Sequence, residues 1–357
     1  MFASAKTSCI VGLEAVPVEV EVSVRDGEPR FTILGLGGAA VRESRERIVS
    51  ALEMAGFSSP EVILVNLAPA EVRKDSACLD LPIALALACS VGAIPQSALE
   101  EISSCGELSL LGDVKRTAGV AAHALSAARR GLKEILVPED NADEAAVIEG
   151  IRVIGIRSLA QAIRVLRGAE PPEYREKIVV NPAVHVKSID DVIGQNAAKR
   201  ALAIAAAGGH NILMIGPPGC GKSMLAERLA SLLPPLDTEQ MLDVLQIHSV
   251  ANQPTESILA GVRPFRTPHY VISDPGLIGG GAGPRPGEVS LAHRGVLFLD
   301  EFPEFRRSSV EALRSPMETG WVQISRARAA VCFPARFQLV AAMNPCPCGR
   351  FGSGVGV

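Results

Sequence analysis

Residues 216–223 read Gly216-Pro217-Pro218-Gly219-Cys220-Gly221-Lys222-Ser223, a glycine-rich loop ending in Lys-Ser with the spacing G-x-x-x-x-G-K-[ST]. Glycines at these positions let successive backbone N–H groups turn inward around phosphate oxygens. A lysine at the end of the loop reaches the β- and γ-phosphates, and the hydroxyl that follows ligates Mg²⁺. A second cluster comes at the end of an apolar run, Val296-Leu297-Phe298-Leu299, in the pair Asp300-Glu301. One carboxylate there suits a Mg²⁺ held through water, and the next suits polarising an attacking water. A third run, 337–343, ends at Asn344, whose amide would orient that water near the γ-phosphate; an Asn before a proline is also an ordinary turn residue. Together these groups describe a Mg-ATP site in which Glu301 and Asn344 do the catalytic work. Residues 216–223 with Asp300 hold the nucleotide, and Ser223 with Asp300 hold the metal.

Such a loop works only between a buried strand and a helix whose N-terminus faces the anion. The flanks supply both. Residues 211–215 are continuously apolar, the mark of a strand buried on both faces of a parallel sheet, and 223–233 form an amphipathic helical pattern. Before the strand, 197–207 reads as a helix stopped by Gly208-Gly209. The runs 296–299 and 337–343 are further core strands, which predicts a three-layer α/β nucleotide-binding core.

The 357 residues exceed what one hydrophobic core comfortably serves, about 250–300, so two domains are expected. The seam is 168–186 (GAEPPEYREKIVVNPAVHV), rich in proline and mixed charge. Ahead of it lies a second α/β pattern. Residues 18–24 alternate with period two, as a strand with one wet face does. Residues 42–55 place Ile48, Leu52 and Ala55 on one face of a charged helix closed by Gly56. Strand 62–66, helix 81–93, helix 118–130 and strand 134–137 continue the alternation. The domains are therefore 1–167, a linker at 168–188, and 189–357.

A net charge of −4 neither announces nor excludes a nucleic-acid partner, because local charge decides that. The start, 1–15, lacks the apolar stretch of a signal peptide. The most apolar run, 81–95, contains Pro82 and Ser90 and is shorter than the ~20 residues of a membrane span, so it reads as a buried helix. Eight scattered cysteines suit reduced thiols in a cytoplasm. No membrane partner is expected.

Several segments together resemble one family. Residues 264–269 (PFRTPH), 277–281 (LIGGG), 284–293 (PRPGEVSLAH), 295–301 (GVLFLDE), 324–327 (ISRA) and 342–349 (AMNPCPCG) follow one another as in the YifB/ComM family of magnesium-chelatase-like AAA+ ATPases. The first half is similar to that family's Lon-protease-like domain through 79–84 (LDLPIA), 106–108 (GEL) and 137–141 (VPEDN). The fold class implied is a Lon-protease-like (ribosomal S5 domain 2-like) α/β domain followed by a P-loop AAA+ three-layer αβα core. The resemblance implies a homo-hexameric motor that uses ATP and Mg²⁺ to promote branch migration of single-stranded or branched DNA. It places DNA contacts in the insert 267–288 and the hairpin 321–333, with Arg326 and Arg328 as candidate contact residues. Between 263 and 336 there are ten Arg, no Lys and seven acidic residues. Arg suits phosphate contacts, and it also suits salt-bridged subunit faces. The alternative from the same family is a chelatase-type motor driving metal insertion through a partner protein.

The resemblance also marks departures. The family pattern runs on after Cys346 and Cys348 to a second cysteine pair, an arginine-finger segment, a helical lid and a second sensor arginine. The terminal 351–357 (FGSGVGV) resembles none of these, so a truncated core without its lid, binding ATP and hydrolysing it poorly, is expected. Zinc needs about four ligands, so Cys346 and Cys348 would need the second pair to close a site. Tyr270 stands where the family tends to have a second His, which leaves His269 a structural or hydrogen-bonding role rather than a metal. A Lon-like protease needs a serine-lysine pair. Lys115 lies near the lysine position, but Leu79 occupies the expected nucleophile position and Ser76 is the nearest hydroxyl, so proteolysis is not expected.

Overall fold

The computed structural model describes residues 1–74, 76–176, 187–281, 283–326 and 329–345. The chain divides into two compact units, Met1–Val179 and Val180–Val357.

The first unit is built on a seven-stranded mixed sheet. Strand β1 (Phe2–Val11) forms a hairpin with β2 (Glu14–Arg25), paired at ten positions. Strands β3 (Arg30–Leu34) and β4 (Val62–Ala68) flank helix α1 (Ala39–Met54) in sequence. Helix α2 (Asp80–Ser90) is followed by β5 (Ile102–Ser104), α3 (Val120–Arg129), β6 (Glu134–Pro138), β7 (Arg152–Ile156) and α4 (Leu159–Leu166). The spatial order is β3-β4-β2-β1-β5-β6-β7. In β2 the expected alternation is present: Val18, Val20, Val22 and Val24 are buried while the residues between them are not. Helix α2 is buried nearly all round, as its largely apolar sequence requires. No helix among the described residues is long and apolar enough to cross a membrane.

Asp80 closes the corner where α1, α2 and the strand Glu107–Leu108 meet. Its buried carboxylate accepts from Arg47 Nε at 2.7 Å, from the Ser44 hydroxyl, and from the Leu108 N–H at 3.2 Å. Burial raises its pKa, and the Arg47 and Ser44 hydrogen bonds oppose that rise. This ion pair explains the aspartate in the otherwise apolar run 79–84. Part of the stretch expected as linker is tied down: Arg175 N bonds Val153 O at 2.8 Å, and its guanidinium reaches Asp143 at 2.5 Å.

The second unit holds a parallel four-stranded sheet. Helix α5 (Asn196–Gly208) leads into β8 (Ile212–Ile215), then helices α6 (Lys222–Leu229) and α7 (Thr238–Val250). Strands β9 (Phe265–Arg266) and β10 (Val296–Leu299) precede the antiparallel hairpin of β11 (Trp321–Arg326) and β12 (Ala329–Pro334), and β13 (Gln338–Met343) follows. The order is β8-β13-β10-β9, every pair parallel. Leu202, Leu225, Leu229, Phe298 and Val340 share one core between the sheet and helices α5 and α6. One expectation is corrected here. Strand β8 is not buried on both faces: it sits at the sheet's edge, with Leu213 52% and Ile215 60% exposed. An apolar run shows that a strand can be covered on both faces. It does not show that any described segment covers it.

Candidate nucleotide site

The parallel register sets the site. Ile215 pairs with Met343, and Leu299 pairs with Ala341, so β8, β10 and β13 finish side by side. Gly216, Asp300 and Asn344 are the first residues beyond these ends, which is where ligands of open parallel sheets bind. Gly219 and Gly221 both take positive φ, at 77° and 90°, the left-handed region that a side chain disfavours. That turn brings the chain into α6, whose first residue is Lys222. The result is a cavity of about 320 Å³ whose walls include Gly219, Lys222, Ser223, Asp300, Glu301 and Asn344.

Within it, Lys222 Nζ donates to Gly216 O at 2.8 Å, Pro217 O at 3.0 Å and Asn344 Oδ1 at 3.0 Å. Its ammonium thus fills the hollow of its own loop with neutral acceptors and forms no ion pair among the described residues. A phosphate oxygen offers a stronger, charged acceptor in the same hollow. Ser223 Oγ donates to Asp300 Oδ2 at 2.6 Å. A hydroxyl and a carboxylate oxygen side by side are the hard donors that Mg²⁺ takes while keeping most of its waters, so these residues fit the ion. Asp300 Oδ1 accepts the Glu301 N–H at 2.9 Å. Glu301 itself is left-handed, with φ 51°, a conformation of the kind that persists where surrounding structure holds it and that gathers at functional sites. The site is therefore assembled from three strand ends and one helix start.

Sequence reasoning missed Gln195. It too is left-handed, with φ 54°, and its amide donates to Cys220 O at 3.2 Å, bracing the phosphate loop from the segment before α5. Two residues earlier, Ile193 is 98% exposed. A lone glutamine after a glycine carries no pattern; only the fold brings it to the loop.

The remaining candidates are spread. In the insert, residues Gly279–Gly280 pair with Arg285–Pro286, and Arg266 grips Glu288 through two hydrogen bonds of 2.6 and 2.7 Å. The hairpin β11–β12 pairs from Trp321↔Pro334 to Arg326↔Ala329. Arg328, Cys346 and Cys348 lie outside the described residues, as does the Arg326 side chain. His269 stacks obliquely on Tyr270 with ring centres 4.3 Å apart. Among the described residues no group of three or more His, Cys, Asp or Glu could hold a metal ion. In the first unit Leu79 is fully buried, the Ser76 hydroxyl caps the turn by accepting from Cys78 N at 3.3 Å, and the Lys115 ammonium pairs with Asp113 at 3.0 Å.

Comparison with known proteins gives the family. Residues 188–355 match the family model described as magnesium chelatase, subunit ChlI, and residues 20–141 match that of subunit ChlI of Mg-chelatase. The chain is 43% identical over 346 residues to the uncharacterized protein YifB of Escherichia coli, covering 97% of this chain and 68% of that one. It is 42% identical over 347 residues to competence protein ComM of Haemophilus influenzae, covering 96% and 68%. The chain belongs to the YifB/ComM family of magnesium-chelatase-like proteins. The magnesium-chelatase subunit ChlI of Euglena gracilis is a more distant relative, 27% identical over 157 residues, 38% of this chain and 45% of that one. Membership of the YifB/ComM family supports an AAA+ ATPase-like function, and the parallel-sheet core is consistent with a chelatase-like AAA+ fold.

Proposed function

We propose that this chain binds Mg-ATP in its second unit and, within a hexamer of identical subunits in the cytoplasm, uses hydrolysis to remodel single-stranded or branched DNA. The observation that carries the nucleotide reading is the convergence of Lys222, Ser223, Asp300 and Asn344 at three adjacent strand ends. Lys222 takes the β- and γ-phosphates, and Ser223 with Asp300 holds Mg²⁺. The ion, bound with ATP, neutralises phosphate charge. Glu301 takes a proton from the attacking water, and Asn344 orients that water once Lys222 has turned from its amide to the phosphates. Gln195 braces the loop from outside the cavity through its hydrogen bond to Cys220 O.

Among the described residues, no arginine lines the cavity. Arginines supplied to phosphoryl-transfer sites speed them by ~10³–10⁵. The isolated 357-residue chain therefore binds ATP more readily than it hydrolyses it, and an arginine supplied from outside the cavity completes the site.

The first unit, proposed as 1–167 with the linker at 168–188 and the ATPase core at 189–357, is read as a Lon-protease-like scaffold without peptidase chemistry. Buried Leu79 and the pairing of Lys115 with Asp113 support that reading. DNA is favoured as the substrate because a relative covered over 96% of this chain bears the name competence protein. The second reading, a motor driving metal insertion through a partner, is favoured by the chelatase family match at 188–355. The two part on one measurement, ATPase rate with and without branched DNA in a hexameric preparation of the family. Stimulation by DNA supports the first reading, and an unchanged rate favours the second.

A further inference from the structure

We infer that the second unit carries a phosphate-binding pocket at the N-terminal edge of its sheet, where Arg263, Arg294 and Arg336 line one cavity. The cavity measures about 470 Å³, and Gly209, Gly295 and Gln338 also line it. Gly295 immediately precedes β10, and Gln338 begins β13. The pocket is thus at the opposite end of the strands from Asp300 and Asn344. At about 3.3 Å per residue, strands of four to six residues put roughly 13–20 Å between the two sites.

The arginines are held rather than loose. Arg263 donates to Pro234 O, to Arg294 O at 2.6 Å and to Gln240 Oε1 at 2.8 Å, all neutral acceptors. Arg294 has left-handed backbone, φ 60°, which no glycine relieves. Its Nη2 meets Asp243 at 3.2 Å, while its Nε is buried with no partner among the described residues. Arg336 is exposed, and no carboxylate among the described residues pairs with it. The opposing charges are Asp243, Asp237 acting on Arg263 from further off, and Glu318 on the lining, which pairs with Arg314 at 3.1 Å. Positive charge is in excess. His293, whose Nδ1 accepts the Arg336 N–H at 3.0 Å, feels that excess: burial first and Arg294 next push its pKa down to about 4, with Arg336 adding and Asp243 opposing.

Three arginines on one lining, two of them held mainly by neutral acceptors or a single carboxylate and the third exposed with no carboxylate partner among the described residues, are an arrangement for an oxyanion. Guanidinium forks match phosphate oxygens in pairs. The phosphate would come either from a small free anion or from a nucleic-acid backbone, and the inference stands whether or not the DNA reading does.

The test uses the full chain with its loop site saturated by Mg-ADP. Inorganic phosphate is titrated and followed through Trp321, the single tryptophan, which adjoins Gly320 of the lining. The expected result is a saturable change that Arg336→Gln weakens by about fivefold or more, with Mg-ADP affinity unaltered. A parallel titration with single-stranded oligonucleotide separates the sources. If Arg336→Gln weakens both ligands, the pocket takes backbone phosphate; if it weakens phosphate alone, the pocket takes a free anion. No saturable phosphate binding by the unaltered protein, or equal binding by a folded Arg336→Gln variant, overturns the inference. Arg336→Lys serves if the glutamine variant does not fold, since it keeps the charge and loses the fork.

Discussion

Ser223 Oγ and Asp300 Oδ2 lie 2.6 Å apart although 77 residues separate them in sequence. One belongs to the first turn of α6 and the other follows the last residue of β10, so the contact reports that helix and sheet edge are in register. Asp300→Asn keeps the shape of that contact but removes its charge. ATP binding by Asp300→Asn should then lose most of its Mg²⁺ dependence, measured by titrating nucleotide with and without the ion. Full Mg²⁺ dependence in that variant would remove Asp300 from the metal site.

Glu301→Gln should bind ATP as well as the parent and lose turnover by ~10²-fold or more, the scale of a missing general base. Its left-handed backbone holds the side chain at the cavity wall, so the loss should appear in kcat rather than in nucleotide affinity. Equal turnover by parent and variant would assign the water to another group.

The first unit should lose stability in mild acid. His123 is buried, shares a 2.6 Å hydrogen bond with Ser8, and has its pKa pushed down to about 4 by burial. In the unfolded chain the same group titrates near 6.5, so the unfolded state binds the proton first. The stabilising difference is complete above about pH 6.5 and is lost as pH falls toward 4, by roughly 3 kcal/mol in all. Urea unfolding at pH 7 and pH 5 measures it, and His123→Asn should flatten the dependence. An unchanged pH slope in that variant would place the sensitivity elsewhere.

Peptidase activity should be absent. Ser76 caps a turn, and Lys115 pairs with Asp113 rather than with a serine among the described residues. Casein cleavage that vanishes in Ser76→Ala would contradict this.

Much of the nucleotide site was legible because its residues sit where periodic segments end. An apolar run that stops at Asp300 is common in itself, and it is the pairing with the glycine-rich loop that begins at Gly216 that places both at one sheet edge. Strand β1 was not legible, since its alternating inward residues Ala3, Ala5 and Thr7 are small and only weakly apolar. The open face of β8 was not legible either, because Leu213 and Ile215 have the same sequence character whether covered or bare. The abundance of arginine between 263 and 336 suited phosphate contacts and salt-bridged faces alike. Arg266, Arg307 and Arg314 pair with Glu288, Glu311 and Glu318, geometry that composition cannot show.

The central claim is that Lys222 belongs to a phosphate site, and direct binding of Mg-ATP by the parent and by Lys222→Ala tests it. In the structure the ammonium holds three neutral acceptors of the loop and Asn344, so its removal should leave the strands intact and the hollow without its cation. Calorimetric titration should show saturable binding by the parent and at least ~100-fold weaker binding by Lys222→Ala, with the variant still folded. Binding of equal affinity by the two proteins would contradict the account.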